Sequence, residues 1–265
     1  MRPLFAVLLP LILTAGCATT SDADFVADAE GLFVRLLRIR TAPSHTTRFE
    51  ALMERCVTAA ARGDLEFPGA WLCYREPPGR YWVVTFAETR DGFGLPPSLS
   101  GFLAGLGALA TPDERREMSS LLDGLDHTTE WEVLMRQRKS WSTVPGIDTA
   151  LHPKARLMQR SVRPGHEDAF TEALTARTAF LTEHDYPLPI EGFVTLEGDP
   201  TQAFQLVFPR DWVSFHGSES FSAFVKALPP AAQEDYAARK KALMETMSRA
   251  EFHDASIVAE LSFQP

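Results

Sequence analysis

The chain has 265 residues, 45% of them hydrophobic and 23% charged, with a net charge of −9 at pH 7. That composition can build one large domain or two small ones around an apolar core. The acidic balance lacks the clustered Lys and Arg that a nucleic-acid backbone or an anionic lipid surface demands, so neither is expected as a partner.

At the amino terminus Arg2 precedes an apolar run from Leu4 to Leu13, then small residues and Cys17. This is the layout of a secretory signal, too short for the ~20 apolar residues of a membrane span. The ending Leu13-Thr14-Ala15-Gly16-Cys17 resembles a bacterial lipobox. The resemblance implies that residues 1–16 are a signal peptide and that Cys17 carries the lipid, palmitate-like chains included. Several chains anchor far better than one. Ala18, in place of Asp, resembles outer-membrane sorting, with the body facing the periplasm. Ordinary cleavage with an unmodified Cys17 is the alternative. Residues 17–30 are small and acidic and read as a tether.

Two halves then follow one plan. Within 31–145 the pattern predicts a strand at Leu32–Arg40 and a helix from His45 to Arg62. Strands at Ala70–Tyr74 and Tyr81–Phe86 follow, joined by Glu76-Pro77-Pro78-Gly79. A helical region from Leu99 to Asp126 and a strand at Trp131–Gln137 complete the half. Within 152–265 the same order recurs. It predicts a strand at Arg156–Arg163, a helix from His166 to His184, and strands at Gly192–Leu196 and Ala203–Phe208. A helical region from Glu219 to Ala250 and a strand at Ser256–Phe263 close it. Glu50-Ala51-Leu52 and Glu172-Ala173-Leu174 stand 122 positions apart, as do Trp71 and Phe193, Trp82 and Phe204, and Phe86 and Phe208. Thr111-Pro112 and Pro229-Pro230 each mark a helix start, where a missing N–H costs nothing.

Each half reads βαββαβ, an α+β ferredoxin-like unit with one sheet face uncovered. A second copy supplies the cover. The pair resembles the dimeric α/β-barrel superfamily fused in tandem, which implies an intramolecular barrel with helices outside and a monomer. That superfamily includes small monooxygenases and haem-binding enzymes, so the resemblance alone does not choose a function.

The search for chemistry yields little. Cys56, on the apolar face of its helix, and Cys73, on the next strand, are a candidate disulfide or two buried thiols. His45 and His166 occupy equivalent helix starts, and Glu251-Phe252-His253-Asp254 reads as a solvated helix end. Glu130 and Glu132 read as solubility devices on an edge strand. Gly92–Pro97 reads as an apolar loop that packs down or closes over the sheet. Trp71, Trp82, Phe86, Phe193, Phe204 and Phe208 are the candidate lining of an apolar cavity, unless the interior is packed solid. No metal set, cofactor fingerprint or nucleophile motif is evident. The leading expectation is therefore a non-catalytic lipoprotein of the cell envelope that binds a small apolar ligand or an envelope protein. The alternative is a monooxygenase-like or haem-binding enzyme, which a polar cluster inside the barrel would favour.

Overall fold

The computed structural model describes residues 31–62, 70–90, 99–107, 109–144 and 148–263; Cys17, the tether and the Gly92–Pro97 loop lie outside them. The first half gives β1 (Phe33–Thr41), α1 (Thr46–Ala60), β2 (Trp71–Glu76), β3 (Arg80–Ala87), α2 (Leu99–Gly107), α3 (Pro112–Asp123) and β4 (His127–Gln137). The second gives β5 (Lys154–Val162), α4 (Glu167–Glu183), β6 (Ile190–Glu197), β7 (Gln202–Val207), α5 (Trp212–His216), α6 (Phe221–Ala227), α7 (Pro230–Glu245) and β8 (Met247–Ile257).

Among the described residues the eight strands close a barrel in the order β1-β3-β2-β8-β5-β7-β6-β4. Cut at its two seams, this is two ferredoxin-like sheets, β4-β1-β3-β2 and β8-β5-β7-β6, facing one another. The seams are antiparallel: β2 against β8, at Tyr74↔Ile257 and Arg75↔Ser256, and β4 against β6, from Leu134↔Glu197 to Gln137↔Phe193. The expected intramolecular α/β-barrel is the fold.

Strand alternation sorts the apolar residues into two layers. Val34, Leu36, Leu72, Val84, Phe193 and Leu206 point inward and fill much of the lumen. Leu37, Ile39, Trp71, Cys73 and Val83 point outward and meet Phe49, Leu52, Met53 and Cys56 of α1. Those helix residues recur every three or four positions, which gives α1 a single buried stripe. Cys56 and Cys73 share this layer as two free, buried thiols, so the disulfide alternative is not adopted. Burial pushes the Cys56 thiol up to about 12 and the Cys73 thiol higher still.

Helix starts follow their local signals. Glu114 N donates to Thr111 Oγ1 at 3.3 Å, and Thr111 N donates back to the Glu114 carboxylate at 2.9 Å. This capping box, with Pro112 behind it, splits the single predicted helical region into α2 and α3. Pro230 likewise opens α7, and His45 and His166 sit at the N-caps of α1 and α4.

Two expectations are corrected. The last strand is Met247–Ile257 rather than Ser256–Phe263, and the preceding helix stops at Glu245 rather than running to Ala250. The strand escapes its pattern because some of its inward residues are polar. The 122-residue spacing, besides, keeps Trp82 and Phe204 on the inner face. For Trp71 and Phe193 it fails, since one points out and the other in. A one-residue slip is enough to exchange the faces of a strand.

Candidate functional site

At the mouth formed by the starts of β1, β2 and β6 and the ends of β3 and β4, the lumen opens into a cavity of about 220 Å³. Its wall is mostly apolar: Val34, Leu36, Leu72, Phe86, Met135, Phe193, Leu206 and Phe208. Four polar side chains interrupt it, Tyr74 from β2, Gln137 from β4, Thr149 from the segment before β5 and Glu191 from β6. Gln137 Nε2 donates to Glu191 Oε1 at 3.3 Å. Burial pushes the Glu191 carboxyl from the ordinary 4.5 up to about 7. A carboxyl so placed holds or releases a proton near neutrality, as acid–base work requires. Burial, and then the neighbouring Glu191, also push the Tyr74 hydroxyl above its ordinary 10. Tyr74 therefore stays a neutral hydrogen-bond donor.

The other end of the lumen is charged. Arg38 clasps Glu76 with two hydrogen bonds, Nη2 to Oε1 at 2.6 Å and Nε to Oε2 at 3.1 Å. Trp82 Nε1 donates to Glu76 Oε2 at 2.8 Å. His253 Nδ1 lies 3.1 Å from Arg38 Nη2 and 3.5 Å from Glu76 Oε1. Nδ1 can accept from the Arg38 guanidinium or, when it carries the proton, donate to Glu76, but not both at once. Burial would raise Glu76, but hydrogen bonds from His253, Arg38 and Trp82 hold it down at about 2. Glu130 closes the network, 3.4 Å from Arg38 and 3.1 Å from Arg80.

Of the six aromatics expected to line a cavity, Phe86, Phe193 and Phe208 do so. Phe204 and Trp82 face the lumen closer to the charged end, Phe204 stacked on Trp131 at 6.0 Å and Trp82 bonded to Glu76. Trp71 is on the wrong face. It points to the helix layer, where its Nε1 donates to Leu261 O at 2.9 Å and its ring meets Phe263. Glu130 and Glu132 are more than solubility devices, because each carboxylate meets an arginine; β4 itself pairs with β1 throughout and with β6 from Leu134 onward. Glu251 and His253 lie on β8 rather than a helix end, with His253 in the lumen; Asp254 points outward to a two-bond pair with Arg156.

Sequence reasoning missed Glu191 by starting its strand at Gly192, two residues after its actual start at Ile190. Counting back two positions from the inward Phe193 puts Glu191 on the same face, so alternation was a usable signal. His253 could be found in the same way from Ala255 and Ile257.

The cavity does not fit haem. Neither His nor Cys is among the residues lining it, and its volume of about 220 Å³ falls below the ~300 Å³ at which pockets for drug-sized ligands begin. Among the described residues, no three His, Cys, Asp or Glu side chains converge as a metal site.

Neither a protein-family model nor a characterised sequence matches the chain. Solved structures do. A protein from Fusobacterium nucleatum assigned provisionally as a monooxygenase superposes with a TM-score of 0.56 at 9% identity, over 88% of this chain and 98% of its own. A second such protein, from Lactobacillus acidophilus, gives 0.52 at 8% identity over 86% and 94%. An anthrone oxidase-like protein gives 0.51 at 10% identity over 87% and 93%. At such identities the likeness carries the fold. The leading expectation, a non-catalytic envelope lipoprotein that holds a small ligand or a protein partner, is nevertheless corrected. The named neighbours are oxygenase-like, and the lumen holds polar clusters that favour the enzyme alternative.

Proposed function

We propose that this chain is a monooxygenase-like enzyme acting on a small apolar substrate, with Glu191 taking the proton that starts the reaction. The observation that carries this reading is a single carboxyl, buried in an apolar cavity and titrating near pH 7. Once ionised, it is a stronger base than a hydrated carboxylate, because burial disfavours its charge. Gln137 fixes which oxygen faces the ligand, and the apolar wall selects a substrate whose only polar part is its reacting end. Proton abstraction from an acidic methylene or phenol leaves an electron-rich carbanion or phenolate. The neutral Tyr74 hydroxyl is placed to donate to the oxygen on which that charge collects. Reaction of such an anion with dioxygen can turn CH₂ and O₂ into C=O and H₂O, the electrons coming from the substrate.

The test is dioxygen uptake by the purified protein over a panel of enolisable and phenolic aromatic compounds, with ¹⁸O₂ incorporation read by mass spectrometry. Glu191→Gln is expected to lose turnover by 10²-fold or more while still binding the compound. Wild-type turnover by this variant would refute the assignment.

The address of the enzyme is a separate proposal, supported by the run Leu13–Cys17. Lipid on Cys17 would hold it at the outer membrane, facing the periplasm. Cys17→Ser is expected to move the protein from the membrane fraction to the soluble one, and unchanged membrane retention would sink the idea.

A further inference from the structure

Between the sheet and the helices of the second half, two arginines lie buried with no carboxylate within ion-pair distance among the described residues. Glu219, whose Oε2 is itself buried and unpaired, reaches only Tyr186, which Arg177 also neighbours. Arg160 points outward from β5 and Arg177 inward from α4, and they are 5% and 6% exposed. Arg177 Nη2 reaches Tyr236 OH at 3.5 Å, with its guanidinium over the Phe221 ring at 4.8 Å. Arg160 Nη2 has only Met158 Sδ, at 3.6 Å. Nη1 of each is buried with no hydrogen-bond partner, and among the described residues neither side chain meets a carboxylate. Arg160 is held down to about 9, by burial first and then by the charge of Arg177, so it remains a cation at neutral pH. Gln205, fully buried in the same layer, donates to Trp141 O and Thr178 Oγ1 and leaves its own Oε1 unpaired. Its dipole does not cancel a charge.

The first half treats its helix-layer arginines differently. Arg55 of α1 and Arg62 just beyond its end are half exposed, and each pairs with a glutamate of α3. A buried charge without a partner costs several kcal/mol, and two like charges together cost more. We infer that the second half binds a small monovalent anion, chloride or a carboxylate the size of formate, between Arg160 and Arg177. The two free Nη1 groups donate to it. The site serves the stability of the second half and is independent of the chemistry at Glu191.

The test is the melting temperature of the full chain at fixed ionic strength, with sodium isethionate replaced stepwise by sodium chloride or sodium formate. A saturating rise of roughly 3–5 °C at about tenfold excess over the midpoint is expected. Response to only one of the two salts names the anion. Arg177→Met should abolish the rise, while Arg239→Met, at an exposed pair with Asp235, should keep it. If Arg177→Met fails to fold, crystals of the wild-type chain grown in sodium bromide decide. An anomalous peak between the two guanidinium groups supports the site. A melting temperature indifferent to the anion, or no peak there, overturns it.

Discussion

Gln137 and Glu191 meet across the β4–β6 seam, with Nε2 and Oε1 3.3 Å apart. The two residues come from different halves of the chain, so the carboxyl that we assign as the base is aimed by the other repeat. Neither half alone assembles the site.

A raised acid gives a pH dependence of definite sign. Glu191 holds its proton in the folded state up to about pH 7 but releases it near 4.5 when unfolded. Between those values the folded chain binds more protons, so stability falls as pH rises, and the full penalty is present above 7. Glu191→Gln is expected to flatten that slope and to raise stability at pH 8 by a few kcal/mol, read from urea melts at pH 4.5 and 8. In the wild type, kcat/KM should climb through about pH 7 to a plateau. An equal urea midpoint for the two proteins at pH 8 would contradict the burial argument.

At the charged end the sign reverses. Glu76 is held near 2, so its contribution is present above about 4.5 and is lost as pH falls toward 2. Glu76→Ala leaves the Arg38 guanidinium, Trp82 Nε1 and His253 without their shared acceptor, at a cost of about 3–5 kcal/mol. Denaturant titration at pH 7 measures it, and at pH 2 the variant and wild type should converge.

Gly192 is a packing requirement. A Cβ there would lie 2.2 Å from Trp141 Cβ and 2.8 Å from Trp141 O. Gly192→Ala should destabilise by about 1–3 kcal/mol through forced displacement of the 139–141 turn. Because that turn borders β6, the change should also disturb the Glu191 titration, which carboxyl-labelled NMR reads directly.

The capping box at α3 offers a calibrating case. Thr111→Ala removes the acceptor for Glu114 N and should cost about 1 kcal/mol without altering the cavity.

The architecture was legible because period-two and helical stripes, repeated twice, report on burial, and burial is what these strands and α1 share. The site was not, because its polar residues interrupt those stripes. Glu191 looked like loop because a charge preceded the apolar run Phe193-Val194, and β8 looked like helix because its inward positions 251 and 253 are Glu and His. Trp71 misled for a different reason. Hydrophobicity alone does not say which face of a doubly buried strand a tryptophan takes.

The segment after β8 bears on the order in which the protein can be made. Trp71 and Phe263 exchange backbone hydrogen bonds at 2.8 and 2.9 Å, and Cys73 N donates to Ser262 Oγ at 2.9 Å. The first repeat's β2 thus waits for a partner translated some 190 residues later. During synthesis the first sheet leaves the ribosome with both flanks, β2 and β4, unpaired, and β2 is the last to be covered. Ring closure is consequently a late event, and translation arrest before Phe263 should leave a nascent chain that exposes β2 to chaperones.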